Sequence, residues 1–429
     1  MSIQLEGISV IIPIEKIEKF YPGGFKKYKK DRGLTHDLEG VVFDDYIVRE
    51  SAANPMDVGL IVDQWEELGL RAISGRGRNK KWKDICVVDL FDGPTLACDW
   101  ISFSNGYVSY RDNKSNGNYT AFDPVSWIKG FNKALKEVKH DKNARIALKK
   151  FRKEIFEQTV EIVKRGFYEI NGKRVHIDNM LAHRLTHFYD SVEPLKIEEP
   201  DYETNFSVIE ADCLETASLL KKAGYNPCVL NMASNKHPGG NVEGGAGAQE
   251  ENIFRRTNIF LSLFQFSDIA YEYGVERNPK SYPIPETGGI YSEYITVFRS
   301  SEDTGYSLLN QPYILSIVSV AAVNMPEIIK KGREYWLTEK YANLTKEKIR
   351  TMLRISAIND HDSIVLSAFG CGAFKNPPNH IARLFKEVFE EDEFKNRFRL
   401  VVFSIIDDHN SWKKHNPRGN ILPFLEVFG

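Results

Sequence analysis

Ser234-Asn235-Lys236-His237-Pro238-Gly239-Gly240-Asn241-Val242-Glu243-Gly244-Gly245-Ala246-Gly247-Ala248-Gln249-Glu250-Glu251 decides how this chain folds. The run follows an apolar stretch at 227–232 that reads as a buried strand, and it enters a helical pattern predicted over 252–264. So many small residues let a backbone approach a ligand closely and aim its N–H groups at it. Most glycine loops are only turns, but few end in Gln-Glu-Glu. At a helix start, successive side chains point about 100° apart, so Glu250 and Glu251 do not face the same ligand atom. One is free for catalysis while the other positions substrate. A partly buried carboxyl beside a second carboxylate is pushed up in pKa, which suits a general acid near neutral pH. The plainer alternative is a first helical turn whose glutamates complement the helix dipole.

A second small-residue loop follows the apolar run 363–368 and reads Phe369-Gly370-Cys371-Gly372-Ala373-Phe374-Lys375-Asn376-Pro377-Pro378. It leaves a strand and enters a helix predicted over 379–390. That is where an open α/β sheet holds phosphates, on backbone N–H groups and a helix N-terminus. Phe374 offers a face to a sugar or base, and Cys371 reads as a small, passive residue. Further strand-like runs lie at 206–209, 294–298, 313–320 and 399–405, with helices predicted at 213–222 and 344–359. Apolar strands separated by helices predict a covered, largely parallel sheet.

At 429 residues and about 150 residues per domain, the chain has room for two to three domains. Lys plus Arg number 57 against 59 Asp plus Glu, a net charge of −2, so overall charge recruits neither nucleic acid nor an anionic membrane. Cys86, Cys98, Cys213, Cys228 and Cys371 form no CxxC pair, which favours free thiols in a reducing compartment. No apolar run is long enough to span a bilayer, and a cytoplasmic protein is expected.

The first 130 or so residues read as a small α+β unit. A helix is predicted over 57–70, then a basic loop at 75–83. Strands at 85–91 and 95–103 form a predicted hairpin through Asp92-Gly93-Pro94, with a further strand at 106–111 and an exposed loop at 112–118. From about 141 the pattern becomes a long charged helix over 143–165, with Ile146, Phe151, Ile155, Val160 and Val163 on or near one face. A short helix is predicted to contain 181–189.

The two glycine loops together resemble the poly(ADP-ribose) glycohydrolase family, in particular its microbial-type branch, whose macrodomain carries Gly-Gly-Gly, a short spacer and Gln-Glu-Glu. Here Gly239-Gly240-Asn241 is followed by seven residues and Gln249-Glu250-Glu251. Residues 229–234, Arg255-Arg256-Thr257, Val297-Phe298-Arg299, 321–324 and 368–376 are similar to the same branch. So is the region from about Arg145, including Phe167-Tyr168 and Asn171-Gly172-Lys173. The resemblance covers roughly residues 143–429. It implies an α/β macrodomain, a mixed, largely parallel sheet sandwiched by helices, at 196–429, with a helical accessory segment at 143–195 and a small N-terminal α+β domain of unassigned role at 1–135.

It further implies hydrolysis of the ribose–ribose bond of ADP-ribose polymer, with ADP-ribose or poly(ADP-ribose), attached to protein, as partner. Glu251 would be the general acid and Glu250 would bond the substrate ribose. The diphosphate would rest on Gly370, Cys371, Gly372, Ala373 and Phe374, with Phe374 orienting the distal ribose. Asn235, Gly239, Gly240, Asn241, Gln249 and Asn376 complete the expected substrate contacts, and neither metal nor cofactor is required. Asn241 replaces the third glycine, where its side chain is expected to tighten the diphosphate approach, and His237 stands where asparagine is usual. Removal of a single protein- or nucleic-acid-linked ADP-ribose, or binding without cleavage, are the alternatives.

Three other features carry less. His183 and His187, four apart on the predicted helix, have metal-ligand spacing without a third ligand nearby. The basic clusters 26–32 and 76–83, with Tyr28 and Trp82, could track a polyanion, but neighbouring acids favour a solvated face and no direct nucleic-acid binding. Asp407-Asp408-His409-Asn410 reads as a loop after the last strand.

Overall fold

The structure is a computed structural model that describes residues 122–138, 141–177, 179–196, 202–407 and 411–429, and, of the first 121 residues, the elements given below and the turn at 21–23. Two compact units emerge, Met1–Phe122 with Lys164–Gly166, and Asp123–Val163 with Phe167–Gly429.

The first unit contains a five-stranded sheet in the order Gly40–Val42, Ile47–Ala52, Ile8–Pro13, Ile85–Asp89, Ala72–Arg76. Helices Ile14–Phe20 and Gly24–Asp31 accompany it. Both edges of Ile85–Asp89 are filled, by Ile8–Pro13 and Ala72–Arg76, so the expected hairpin with 95–103 does not form. Instead Ala97–Cys98 pairs with Ile3–Gln4, and Ile101–Ser104 pairs with Tyr107–Tyr110. The expected basic loop is likewise interrupted, since Gly75 and Arg76 belong to one strand and Lys80–Lys81 to another. Tyr28 is fully buried and offers no stacking face. The predicted helix at 57–70, the loop at 112–118 and Trp82 lie outside the described residues.

The second unit is built on a seven-stranded sheet in the order Thr186–Tyr189, Gly289–Arg299, Leu308–Val320, Pro227–Met232, Ser363–Leu366, Leu400–Ser404, Asn205–Ile209. The last four pairings are parallel and the first two antiparallel, which makes the sheet mixed and largely parallel as expected. The central strands are apolar on both faces because both are covered. One core contains side chains of helices Lys142–Arg165, Cys213–Lys222, Gln249–Arg256 and Ile259–Leu263; the other contains those of Glu339–Ile358, Pro378–Phe389 and Ile421–Phe428.

Helix Pro124–Glu137 joins this unit, so the boundary expected near 135 falls at 122/123. Trp127 donates from its indole N–H to Phe151 O (3.2 Å) and packs edge-on against Phe151 and Tyr306. On Lys142–Arg165 the buried side chains include Ala144, Leu148, Ile155, Phe156, Thr159, Ile162 and Val163, so Ile155 and Val163 lie inward as expected while Ile146 points outward. The accessory segment is not wholly helical: Phe167–Ile170 and Lys173–His176 form a hairpin across Asn171-Gly172. The helix expected to contain 181–189 stops at Arg184, and Thr186–Tyr189 becomes an edge strand against Gly289–Arg299. His183, buried with Nε2 3.1 Å from Glu276 O, therefore shares no helix face with the exposed His187. The helix predicted at 252–264 begins earlier and breaks. Gln249–Arg256 ends where Thr257 turns extended and bridges Val297, and Ile259–Leu263 follows. Hairpin Ile328–Lys331/Glu334–Leu337 and helix Ile421–Phe428 carried no signal that was read.

No helix among the described residues is long and apolar enough to cross a membrane. Cys213, Cys228 and Cys371 are free and buried, and burial pushes the Cys213 and Cys228 thiols up to about 12. The side chains of Cys86 and Cys98 and residues 408–410 lie outside the described set, while Asp407 ties its loop together by accepting from Ser411 Oγ (2.8 Å) and Asn420 N–H (2.6 Å).

Candidate active site

Both glycine loops leave the C-terminal ends of parallel neighbours, 233–248 after Pro227–Met232 and 367–377 after Ser363–Leu366. Gln249 fastens the first. Its Oε1 accepts from Met232 N–H (2.8 Å) and its Nε2 donates to Leu230 O (2.7 Å). Both ends of the amide are occupied by the strand, so the expected substrate contact becomes a positioning role.

The two glutamates bind the loop differently. Glu250 is buried, and both its oxygens accept from backbone, Oε1 from Gly239 N–H (3.0 Å) and Oε2 from Ser234 N–H (2.8 Å). Burial first, and the Glu251 charge second, push its carboxyl well above the ordinary range; the two N–H donors and Asn231 offset this in part. Glu251 accepts from Asn241 N–H at Oε1 (3.0 Å), while Oε2 is buried without a partner. An oxygen in that state is an uncommon cost in a folded protein.

Gly240 makes room for this pair. Its φ is +57°, and a Cβ there would stand 2.5 Å from Glu251 Oε1 and 3.2 Å from Glu250 Oε2. Gly239, with φ +77°, packs so close to Phe254 that a Cβ would meet the ring at 2.7 Å. Asn241 is exposed, and its amide lies over Gly244, whose Cβ would fall 2.4 Å from Asn241 Oδ1. The side chain expected to tighten the diphosphate approach instead packs within its own loop. Asn235 is half-buried in the same loop.

In the second loop the N–H groups of Gly372, Ala373 and Phe374 have no acceptor among the described residues, an arrangement that suits phosphate oxygens. Gly370 turns at φ +73°, where a Cβ would meet Asn376 Nδ2 at 2.5 Å and Ala322 Cβ at 2.7 Å. Asn376 is buried and donates to Val323 O (2.8 Å) and Gly370 O (3.0 Å), so it staples the loop instead of touching substrate. Cys371 is wholly buried, its thiol pushed up by burial, and only its backbone is available. Phe374 is half-buried against the second core.

Sequence reasoning missed the residues behind the first loop. Arg152, on the accessory helix, forms a bidentate pair with Glu302 (both 2.7 Å), and a Cβ at Gly247 would strike its guanidinium at 2.4 Å. A Cβ at Gly245 would lie 2.0 Å from Lys149 O, so the loop runs directly over that helix. Arg255 donates to Tyr306 OH and Ala246 O (both 2.7 Å). Tyr282 places a buried, unpartnered hydroxyl where the Glu250 charge is felt, and Ile284 N–H donates to Asn235 O (2.9 Å). An Arg-Arg pair at the end of the helix that Gln-Glu-Glu opens was the available signal for Arg255 and Arg256; Tyr282 carried none.

Arg256 is buried and ties Gln249–Arg256 to Asp212 (2.7 Å), the residue that also caps Cys213–Lys222 by accepting from Leu214 and Glu215 N–H (both 3.0 Å). Arg256→Met leaves the Asp212 carboxylate short of its cation. A loss of about 3–5 kcal/mol is expected for breaking such a pair, measurable as a lower urea midpoint. An unchanged midpoint would show the pair to be dispensable.

Among the described residues, no group of three or more His, Cys, Asp or Glu side chains is gathered to hold a metal. Residues 156–300 match the family described as microbial-type PARG, catalytic domain. No curated protein matches the chain. Similar solved structures include poly(ADP-ribose) glycohydrolase from Thermomonospora curvata, at 27% identity and TM-score 0.51 over 65% of this chain and 99% of that one. The same organism's enzyme bound to the inhibitor ADP-HPD is 27% identical, with TM-score 0.50, over 64% of this chain and 98% of its own. Poly(ADP-ribose) glycohydrolase from Deinococcus radiodurans in complex with ADP-ribose is 30% identical over 54% of this chain and 84% of its own, at TM-score 0.40.

Proposed function

The chain belongs to the microbial-type poly(ADP-ribose) glycohydrolases through residues 156–300, and on that footing we propose that it hydrolyses ribose–ribose O-glycosidic bonds of ADP-ribose polymer and releases ADP-ribose. The single observation that carries the site assignment is the unpartnered Oε2 of Glu251, buried beside Gly240. From there Glu251 protonates the leaving ribosyl oxygen as its bond to the anomeric carbon breaks. Positive charge developing on the distal ribose is stabilised by the substrate's own diphosphate, held on the Gly372, Ala373 and Phe374 N–H groups. Water adds to the anomeric carbon, and its proton restores the Glu251 carboxyl. Glu250 and Asn235 hold the distal ribose, and Phe374 orients it.

The assignment treats 196–429 as the catalytic macrodomain and 143–195 as an accessory segment that supports its first loop. No role is assigned to the N-terminal unit, 1–135. A polymer carried on protein, in the reducing cytoplasm that suits buried thiols, is the expected substrate. The test is ADP-ribose release from matched poly- and mono-ADP-ribosylated protein. Release from polymer with the last protein-linked unit left in place is expected. Release of that last unit would instead favour a mono-ADP-ribosyl hydrolase, and no release from either would overturn a hydrolytic reading.

A further inference from the structure

Strand Pro227–Met232 is apolar except at Asn231, which is wholly buried on the same face as Val229, the face that helix Gln249–Arg256 covers. Directly across the ladder stands Ser319, equally buried and in register with Asn231. Two polar side chains in a covered sheet must find their partners in each other or in the layer packed on them. Asn231 Nδ2 lies 3.0 Å from Ser319 Oγ, while Asn231 Oδ1 is buried without a partner. The layer above holds Glu250, and the Asn231 amide lies close enough to favour that carboxyl's ionised form.

One orientation satisfies all three groups. A half-turn of the carboxamide exchanges its oxygen and nitrogen. Ser319 then donates its hydroxyl proton to Asn231 Oδ1, and Asn231 Nδ2 donates to Glu250. That carboxylate already accepts from Gly239 N–H and Ser234 N–H, so the amide becomes its third donor. Of about four lone-pair sites on a carboxylate, one is left for a ribose hydroxyl.

We infer that Ser319 and Asn231 are positioning residues that decide which glutamate carries the proton, keeping Glu250 an acceptor and leaving the proton on Glu251. The inference rests on the glycohydrolase reading, in which Glu251 protonates the leaving oxygen and Glu250 holds the ribose. A Cβ at Gly240 would stand 2.5 Å from Glu251 Oε1 and 3.2 Å from Glu250 Oε2, and two carboxyls so near one another hold a single proton in preference to two charges. Three donors at Glu250 favour its ionised form, whereas Glu251 accepts one N–H, from Asn241. Other groups around the pair are committed. Tyr282, from the segment before Gly289–Arg299, brings a neutral hydroxyl to Glu250. Arg152, from Lys142–Arg165, is felt at Glu251 but is paired with Glu302. Arg255, one turn along the glutamates' own helix, is bonded to Tyr306 OH and Ala246 O.

The test follows ADP-ribose release from polymer across pH in wild type, Ser319→Ala and Asn231→Leu/Ser319→Ala; the double variant removes both polar partners, so that neither is stranded. A hydrogen bond to a charged group is worth about a factor of ten or more in an ionisation equilibrium. Without the Asn231 donor Glu250 takes the proton, and Glu251 is protonated only at lower pH. The alkaline limb of kcat is therefore expected about one pH unit lower in the double variant. Its kcat at neutral pH should drop about tenfold and recover in part on acidification, with Ser319→Ala moving the limb the same way but less. A loss that acid does not restore would overturn the inference, since the two side chains would then only be shaping the loop. So would an unmoved limb. If the double variant failed to fold, the limb of Ser319→Ala would decide alone. If wild type released no ADP-ribose, the glycohydrolase reading would fall, while NMR titration of the two carboxyls would still place the proton: a Glu250 that titrates alike in wild type and Ser319→Ala overturns the inference.

Discussion

Glu251→Gln is expected to abolish ADP-ribose release from polymer while leaving ADP-ribose binding and thermal unfolding near wild type. Glutamine keeps the side-chain shape and an oxygen to accept from Asn241 N–H, but it has no proton to give the leaving ribosyl oxygen. The loss should be at least the 10²- to 10⁴-fold typical of a missing general acid. Glu250→Gln is expected to fail differently. Both its oxygens accept backbone N–H groups, from Gly239 and Ser234, so an amide nitrogen would face a donor on one side. That variant should lose melting temperature along with turnover. Turnover and calorimetry on the two proteins check the pair, and a Glu251→Gln enzyme of unchanged rate would remove Glu251 from the mechanism.

Gly240→Ala has the second largest expected effect. At φ +57° an alanine costs about 1–2 kcal/mol in backbone energy alone. Its methyl would also displace Glu251 Oε1, which stands 2.5 Å from the Cβ position. A shift of that order at a reacting group costs about 100-fold in rate, and kcat for polymer should fall by that much or more. Gly224→Ala is the control, because Gly224 has φ +86° with nothing within 4 Å of a Cβ. It bears the strain without the collision, and should lose some stability and keep its turnover.

The parts legible in the sequence were those whose causes are local. Asp212 caps Cys213–Lys222 through Leu214 and Glu215 N–H, and apolar runs bounded by polar turns place Pro227–Met232, Ser363–Leu366, Leu400–Ser404 and Asn205–Ile209 to within two residues, whereas Gly289–Arg299 and Leu308–Val320 begin five residues before the runs at 294 and 313. The helix break at Thr257 was not legible, because it follows from a bridge to Val297 and from Asn258 accepting from Thr296 N–H (2.8 Å), partners about forty residues away. In the same way, Thr186–Tyr189 reads as helix until Gly289–Arg299 offers it an edge.

At the site, motif and spacing named Glu250 and Glu251 but did not say where an amide points. Gln249 and Asn376 therefore read as substrate contacts, although each spends its hydrogen bonds on the loop it fastens. Tyr282 and Arg152 reach the glutamates only through tertiary folding, from segments thirty residues downstream and a hundred upstream.

The passage of Gly245 and Gly247 over Lys149 and Arg152 bears on how this catalyst can be inherited. A fragment beginning at 196 would contain both glutamates and the diphosphate loop, yet lack the floor on which the first loop lies. It would also bare an edge of Gly289–Arg299 to other chains, an invitation to aggregate. The hydrolase is therefore not a cassette that recombination can lift out at its sheet; the long helix must travel with it, and Arg152 and Gly247 are constrained together although about a hundred residues apart.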